Sequence, residues 1–547
     1  MNQLPIEVQE PWVKIRKPSS WLTHSDSKSI GILEYWSHHL GKKIWPCHRL
    51  DRETTGALLA SLTPEGADKF RKLNETGEVE KIYLALTDRP LEDYFGASSE
   101  FVTTRECTDT TEIPQSDIEV LPAQFAQKEF VVDKPVVGKD GKPLTARSTF
   151  RLLRTYGDFS CWQVRIESGR THQIRKHAAF LGIPLLGDIM YGGSPFPILG
   201  LHSWQISLAD TKHTVAPPVF YDKMEILKSP QLAFFLASVF DRRSSLDFCA
   251  AVRVVHSSTL IAEKLADVLV LGDYGREENP NDTNITFKNL RPHIPELLIS
   301  TETKHWVYRD MRKRDGRIHQ LPEERSLNVP ENWQIQEEGM LFEVSRMRGL
   351  SYGLFLDQRA NRRWVRSSCR NLRVLNLFSY TGGFSVAAAF GQAAHITSLD
   401  VSRSYLRWSQ QNLKLNGFEV DSRFSFISED ALEYLKRCSR REHKFDLIVC
   451  DPPSFGRSSA GVFNIEKDLP QLAQSVFECL APGGSAILSC NFEKWTQENF
   501  ERKAFHNVDQ AGHSSNYEVT NSPLPDADFE APGADRVLKT LVYKKIV

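Results

Sequence analysis

Asp51 stands in the run HRLDRETTG, His48 to Gly56, between Arg49 and Arg52, with the apolar pair Ile44-Trp45 before it and the apolar run Ala57 to Leu62 after it. Charged side chains set between stretches of core are costly unless they are paired or used. A salt bridge from Asp51 to Arg49 or Arg52 is the commonplace explanation of such a grouping. Two later stretches favour use. KIYLAL, Lys81 to Leu86, alternates like a strand and carries Tyr83, while SGRTHQIRKH, Ser168 to His177, follows the strand-like WQVRIE and concentrates Arg170, His172 and Arg175 beside Gln173. Carboxylates serve as nucleophiles and phenols as proton carriers, so these residue types suit covalent and acid–base work.

A second set of candidate positions lies in the last third of the chain. VLNLFSYTGGFS, Val374 to Ser385, is a short apolar run broken at Thr381-Gly382-Gly383, after which residues to Phe390 favour helix. Glycines let a backbone approach a ligand, and a helix amino terminus offers unpaired N–H groups, although an ordinary strand-to-helix turn has the same appearance. Ile396 to Leu399 is a second strand ending in Asp400, at about the offset where an α/β fold presents a carboxylate to a ribose diol. Phe445 to Cys450 is a third, ending in Asp451-Pro452-Pro453-Ser454-Phe455. FISED ends another, which puts Asp430 at the start of the helix ALEYLKR as a cap. PGGSAILSCNFEKW reads as turn, strand and exit, with Cys490 at the strand end. The absence of a GxGxxG pattern disfavours a Rossmann dehydrogenase.

The scaffold that must position these residues is large. At 547 residues the chain exceeds one core, and 41% hydrophobic with 25% charged residues are globular values. The composition shifts suggest three parts: 1–225, a middle α+β module over 226–340, and 341–547. Nine scattered cysteines without a CxxC pair argue against a disulfide framework and a zinc site, and for a reducing compartment. The longest apolar run, LAFFLASVF, is too short to span a membrane, and the amino terminus has no signal-peptide pattern, so a cytoplasmic protein with no membrane or metal partner is expected. With a net charge of −1, RNA contact must rest on local basic surface. Candidates are Arg309, Arg312, Lys313, Arg314 and Arg317, a solvated face or a phosphate contact, and Arg359, Arg362, Arg363 and Arg366 near the third part's first strand. Residues 90–131 read as an irregular insertion, 138–142 as a hairpin turn, 276–284 as a loop, and His202 as a surface or satisfied core histidine.

The segments HRLD, K-x-Y and GRTHQIR, followed by GIPLLGD at Gly182 to Asp188 and then YGG, resemble in this order the RluA-type pseudouridine synthases, over most of Pro11 to Leu201. KPSSWLTH, Lys17 to His24, resembles that family's opening turn. The resemblance implies an α+β domain with a mixed, mainly antiparallel sheet and no cofactor. It makes Asp51 the nucleophile, Tyr83 the residue that packs on the target base and serves as base, and Arg175 the partner of the aspartate. Arg49, Arg52, Arg170, His172 and Gln173 become substrate-binding residues. Thr55 stands where the family commonly has serine, and there is no room ahead for the small RNA-binding domain that many members carry. The implied reaction breaks a glycosidic bond and rejoins uracil through carbon, which requires the target to leave its stack.

GLFLDQRANRR, NLFSYTGG, DVSRSYLRWSQQNLKLNG and DPPSF are similar to the class I S-adenosylmethionine-dependent methyltransferases of bacteria that modify guanine N7 or cytosine C5 of large-subunit rRNA. This likeness covers the chain from about Leu341, more weakly upstream. It implies an α/β Rossmann-like domain that holds S-adenosylmethionine through Phe378, Ser379, Tyr380, Thr381, Gly382, Gly383, Asp400, Asp430, Asp451 and Pro452. The target base then lies at Pro453 and Phe455. Guanine N7 has a lone pair and needs only positioning, whereas cytosine C5 needs a thiolate adduct, for which Cys490 is the candidate. The guanine reading is favoured. The whole chain is thus expected to be a two-enzyme fusion acting on large-subunit rRNA. The competing reading is an RNA-binding assembly factor with one silent site.

Overall fold

The computed structural model describes residues 6–26, 30–89, 100–107, 125, 128–138, 141–243, 251–257, 259–275, 285–314, 317–318, 323–349, 351–458, 461–492, 494–513, 515–520, 522–526, 528–529 and 538–546. The loop expected over 276–284 lies outside them. So does most of the stretch 90–131, but Val102–Glu106 within it is an ordered edge strand paired to Lys128–Asp133, so that part is not the irregular insertion expected. Its β-branched Val-Thr-Thr run suits a strand.

The N-terminal sheet runs Ile6–Gln9, Trp12–Lys17, Thr55–Ser61, Leu201–Leu208, Glu80–Thr87, Phe159–Ile166, Arg147–Tyr156, Lys128–Asp133 and Val102–Glu106 in spatial order. Every neighbouring pair along that path is antiparallel except Thr55–Ser61 with Leu201–Leu208, so the mixed, mainly antiparallel sheet forms as expected. Thr55–Ser61 is almost wholly buried because it is central and covered on both faces, which explains its unbroken apolar run. Of the hairpin turn expected over 138–142, residues 139–140 lie outside the described residues, and Gly138 N–H is bonded to Lys142 O at 2.8 Å.

A five-stranded sheet follows, with Val268–Asp273 parallel to His305–Asp310 and the other pairs antiparallel. The apolar run 232–240 forms most of the helix Pro230–Arg243, which is buried between sheets. One hydrophobic cluster joins Leu84, Leu86 and Cys161 of the first sheet to Phe235 and Leu236 of that helix and Val254 of the second. The boundary expected at 340 falls inside a hairpin, Asn332–Glu337 with Met340–Ser345, whose Ile335, Phe342 and Val344 enter the core of the last domain.

The last sheet has the spatial order Phe424–Ile427, His395–Leu399, Arg373–Leu377, Phe445–Cys450, Leu480–Cys490, Lys539–Lys545 and Tyr517–Thr520, with Lys539–Lys545 antiparallel to its neighbours. The order reverses beside Arg373–Leu377, and a crevice opens there at the carboxyl ends of the strands. This is the α/β Rossmann-like arrangement expected. Asn412 and Asn416 of the helix Arg403–Leu415 and its cap clip the hairpin onto it. Asn412 accepts from Glu343 N–H at 2.9 Å and donates to Thr381 O at 2.9 Å, and Asn416 exchanges two bonds with the Leu341 backbone. Gly382, at φ +80°, lies so close to that helix that a Cβ would stand 2.0 Å from Ser409 Oγ. Asn412→Ala strips a buried N–H and a buried carbonyl of their partners, at about 1 to 3 kcal/mol each, so its urea midpoint should fall by the equivalent of about 2 to 4 kcal/mol.

Candidate active sites

Two groups hold the loop around Asp51. Lys17, fully buried at the end of its strand, donates to the carbonyls of Pro18 at 3.1 Å, Arg52 at 2.8 Å and Thr54 at 2.8 Å. Burial pulls its ammonium down to about 7, opposed by the charges of Asp241, Glu53 and Asp51. Thr23 Oγ1 both donates to Leu50 O at 3.0 Å and accepts Leu50 N–H at 3.1 Å. The backbone is therefore fixed on each side of Asp51, and its carboxylate stays 20% exposed. His172 Nε2 lies 3.9 Å from Asp51 Oδ1. His172 is itself in the left-handed region, φ 56°, with Nδ1 hydrogen-bonded to Tyr191 Oη at 3.0 Å. Arg52 faces Asp26 at 3.8 Å and Arg49 is exposed, so neither makes the salt bridge that would have explained Asp51 away.

Three assignments in this site change. Arg175 is paired with Asp188 of the GIPLLGD turn, Nε to Oδ2 at 2.7 Å and Nη2 to Oδ1 at 2.6 Å, and not with Asp51. Asp188 is buried, and a buried carboxylate needs a fork of donors. Gln173 is a buried bracket that binds Ser168 Oγ, Arg170 N–H, Arg147 O and Ser148 Oγ, which leaves it no free face for substrate. Arg170 donates from Nε to Thr145 O at 3.3 Å. Tyr83 packs in the core with its hydroxyl bonded to Ser203. Burial, then the charge of Asp51, raises its phenol well above the ordinary value, so it is a neutral packing group and not a ready base. His202 is a satisfied core histidine, bonded to Thr55 Oγ1 at 2.8 Å and Val215 O at 2.9 Å and held near 4 by burial.

In the C-terminal domain a cavity of about 600 Å³ opens at the switch point. Phe378, Ser379, Tyr380, Thr381, Gly383, Asp400, Asp430, Asp451, Pro452, Pro453 and Phe455 all line it. Gly382 instead backs onto Ser409. Phe378 and Tyr380 have φ of 54° and 48°, a left-handed backbone that non-glycine residues hold only where surroundings impose it. Asp400 accepts Tyr380 N–H at 3.0 Å and Ser402 N–H at 2.8 Å, and Asp430 caps its helix through Leu432 N–H at 3.0 Å while also facing the cavity. Ser379 Oγ is buried without a partner among the described residues, an orphaned hydroxyl in the cavity wall. Phe355 and Phe455 are 44% and 56% exposed at the cavity.

Composition and spacing missed a relay that leads to Asp451. Thr540 Oγ1, Asn361, Gln358 and Ser489 are linked by bonds of 3.1, 2.6 and 3.0 Å, and Ser489 Oγ donates to Asp451 Oδ1 at 2.7 Å. Burial, helped by neighbouring Asp357, pushes the Asp451 carboxyl up to about 6. The arginines 359, 362, 363 and 366 are not the free positive charge expected. Arg359 binds Asp526 and Asp528, Arg362 binds Glu337, Arg363 binds Glu338 and Asp526, and Arg366 donates to Glu338 O. Arg309 is likewise paired with Glu323 and Arg312 with Asp310, which makes them structural; the side chains of Lys313, Arg314 and Arg317 lie outside the described residues. Cys490 is fully buried, accepts Phe492 N–H at 3.3 Å and does not line the cavity. Burial raises its thiol, which opposes thiolate formation.

A family model described as S-adenosylmethionine-dependent methyltransferase matches residues 256–531, just over half of the chain. The chain belongs to that family. A second model, described as RNA pseudouridylate synthase, matches residues 12–180, so the methyltransferase is joined to a region similar to that family. S-adenosylmethionine is the cofactor of the methyltransferase, and the cavity suits it: an acidic residue ends each of two adjacent strands, and the strained glycine turn carries a hydroxyl still lacking a partner. The ribosomal RNA large subunit methyltransferase K/L of Psychrobacter sp. (strain PRwf-1) is 41% identical over 164 residues, 29% of this chain and 20% of that protein. Its counterpart in Shewanella pealeana is 39% identical over 164 residues, 30% of this chain and 22% of that protein. The chain thus spans about a fifth of the length of these relatives. A solved structure, human RNA Pseudouridylate Synthase Domain Containing 4, is 20% identical and covers 39% of this chain and 88% of its own, at a TM-score of 0.28. Among the described residues no cluster of three metal-ligating side chains occurs, and no helix is long and apolar enough to cross a membrane.

The raised carboxyl of Asp451 has a pH signature. Its folded value near 6 exceeds the unfolded one near 4, so ionising it costs stability as pH rises through that window. If the carboxylate is the working form, methyl transfer climbs with pH across about 6. Asp451→Asn, which keeps an acceptor for Ser489, should flatten that limb in a pH–rate profile and melt no lower than the parent at pH 7.

Proposed function

We propose that the N-terminal part converts uridine to pseudouridine and the C-terminal part methylates a base, both on large-subunit rRNA in the cytoplasm. Domain limits near 225 and, in place of 340, just before the hairpin at 332–345 serve this reading, the hairpin being assigned to the methyltransferase. The observation that carries it is the state of the two sets of carboxylates. Asp51 sits on a pinned loop with no arginine paired to it among the described residues, and Asp400, Asp430 and Asp451 face one cavity. The rRNA substrate is supported by what the Psychrobacter relative is named to act on.

In the synthase, Asp51 is the nucleophile, His172 stands beside it to contact the target nucleotide, and Tyr83 packs against the base. Arg175 acts through Asp188, locking the turn that closes the site. Arg49, Arg52 and Arg170 remain on the surface side for phosphate contact. In the methyltransferase, Asp400 is placed for the ribose diol and Asp430 for the adenine, with the loop from Phe378 to Gly383 beneath them. When bound, S-adenosylmethionine supplies an electrophilic methyl group. Pro453 and the exposed Phe455 hold the target base at the cavity mouth, and Asp451 accepts a hydrogen bond from it. Guanine N7 is the favoured target because it asks only for positioning, and the one cysteine considered for cytosine chemistry is buried in the core and does not line the cavity.

Three variants test this. Asp51→Asn keeps shape but not nucleophilicity, so pseudouridine formation should vanish while methylation continues; residual isomerisation would remove Asp51 from its role. Asp400→Ala should weaken S-adenosylmethionine binding roughly tenfold or more by calorimetry, since charge-assisted bonds are worth about 1.5 to 3 kcal/mol each. Cys490→Ala assayed on rRNA fragments with labelled cofactor should stay active with label in guanine, and loss of activity with label in cytosine would reverse the choice of base.

A further inference from the structure

The helix Pro230–Arg243 lies beyond the residues matched to the synthase family, 12–180, yet its last turn reaches Ser19, which is bonded to the loop that carries Asp51. Asp241 Oδ1 accepts the backbone N–H of Ser19 at 3.0 Å, and Ser19 Oγ donates to Glu53 O at 3.4 Å. Two residues before Ser19 is Lys17, whose ammonium holds the carbonyls of Arg52 and Thr54. Asp241 also supplies counter-charge to that buried ammonium. The preceding residue, Phe240, lies 4.1 Å beneath the Arg16 guanidinium and edge-on to His202, with ring centroids 5.8 Å apart. His202 in turn holds Thr55 Oγ1. Glu53 and Thr55 are therefore anchored on groups that the helix end touches, and Arg52 and Thr54 on Lys17, two residues from Ser19 and within the field of Asp241.

We propose that Asp241 is a positioning residue of the synthase: by fixing the Lys17–Ser19 turn it sets the backbone that aims Asp51. The synthase site is then completed by a residue from the module that joins it to the methyltransferase. This rests on Asp51 being the nucleophile.

The test compares Asp241→Ala with Asp241→Asn in the full chain, because asparagine keeps the oxygen that accepts Ser19 N–H. Hydrogen exchange needs no RNA. In Asp241→Ala, amides across 48–56 should exchange about tenfold faster while 373–383 keep the parental rate, and Asp241→Asn should stay within about twofold of the parent at both. On large-subunit rRNA transcripts labelled with [5-³H]uridine, kcat for pseudouridine formation should drop about tenfold in Asp241→Ala with KM within about twofold, and methyl incorporation should not change. Parental exchange at 48–56, equal acceleration at 373–383, or an asparagine variant as defective as the alanine one would each overturn the proposal. A parental chain that forms no pseudouridine would instead sink the reading of Asp51, and the exchange comparison would still decide the role of Asp241.

Discussion

A carboxylate with no solvent exposure sits where the pieces of this chain meet. Asp528 is fully buried, receives the Arg359 guanidinium at 3.1 and 3.3 Å, and accepts the Arg253 N–H at 3.1 Å. Arg359 also reaches Ala251 O at 2.6 Å and Asp526 at 3.1 Å. A buried ion costs several kcal/mol unless every lone pair and proton is met, so the strand Ala251–His256, the helix Arg359–Ser368 and the C-terminal segment must arrive together. Gln358, the neighbour of Arg359, lines the cofactor cavity and bonds Ser489. The junction that joins the modules thus also orders one wall of a site.

The same rule operates at Lys17 in the synthase, with carbonyls in place of a carboxylate. A surface lysine could hold one backbone oxygen and would exchange it readily with water. Buried, Lys17 holds three, and the loop has no competing solvent. Asp188 and Arg175 repeat the device between the helix Gln173–Phe180 and the turn that follows it. In each case a buried charge fixes geometry, while the carboxylate of Asp51 stays partly exposed in the first domain and Asp400 and Asp451, themselves held by hydrogen bonds, face the cavity of the last.

Local pattern made much of this legible. The strand ends that place Asp400, Asp430 and Asp451 around one cavity follow from short apolar runs closed by an acidic residue, and the glycine break at 382–383 is where the backbone turns. Partner choice was not legible. Arg175 lies in the motif beside Asp51, but sequence distance says nothing of Asp188 entering from a turn beyond the helix. Arg359 to Arg366 read as a basic surface because Glu337, Glu338, Asp526 and Asp528, which neutralise them, come from remote segments. Cys490 looked well placed at a strand end, yet in a strand successive side chains alternate: Asn491 lines the cavity while Cys490 is buried in the core beneath. The edge strand Val102–Glu106 was hidden by the polar residues around it.

The core shared by the first sheet and the helix Pro230–Arg243 has a bearing on biosynthesis. A chain is made from its amino terminus, and domains generally fold as they emerge. Here the first sheet is complete once Leu208 and the strand Thr211–Thr214 have been made, but the cluster that covers Leu84, Leu86 and Cys161 is finished only by later residues, from Phe220 and Met224 to Phe235 and Leu236. The last cover of this cluster is therefore made with the module that follows the first sheet, so a chain cut just after Thr214 would leave that face of the sheet bare.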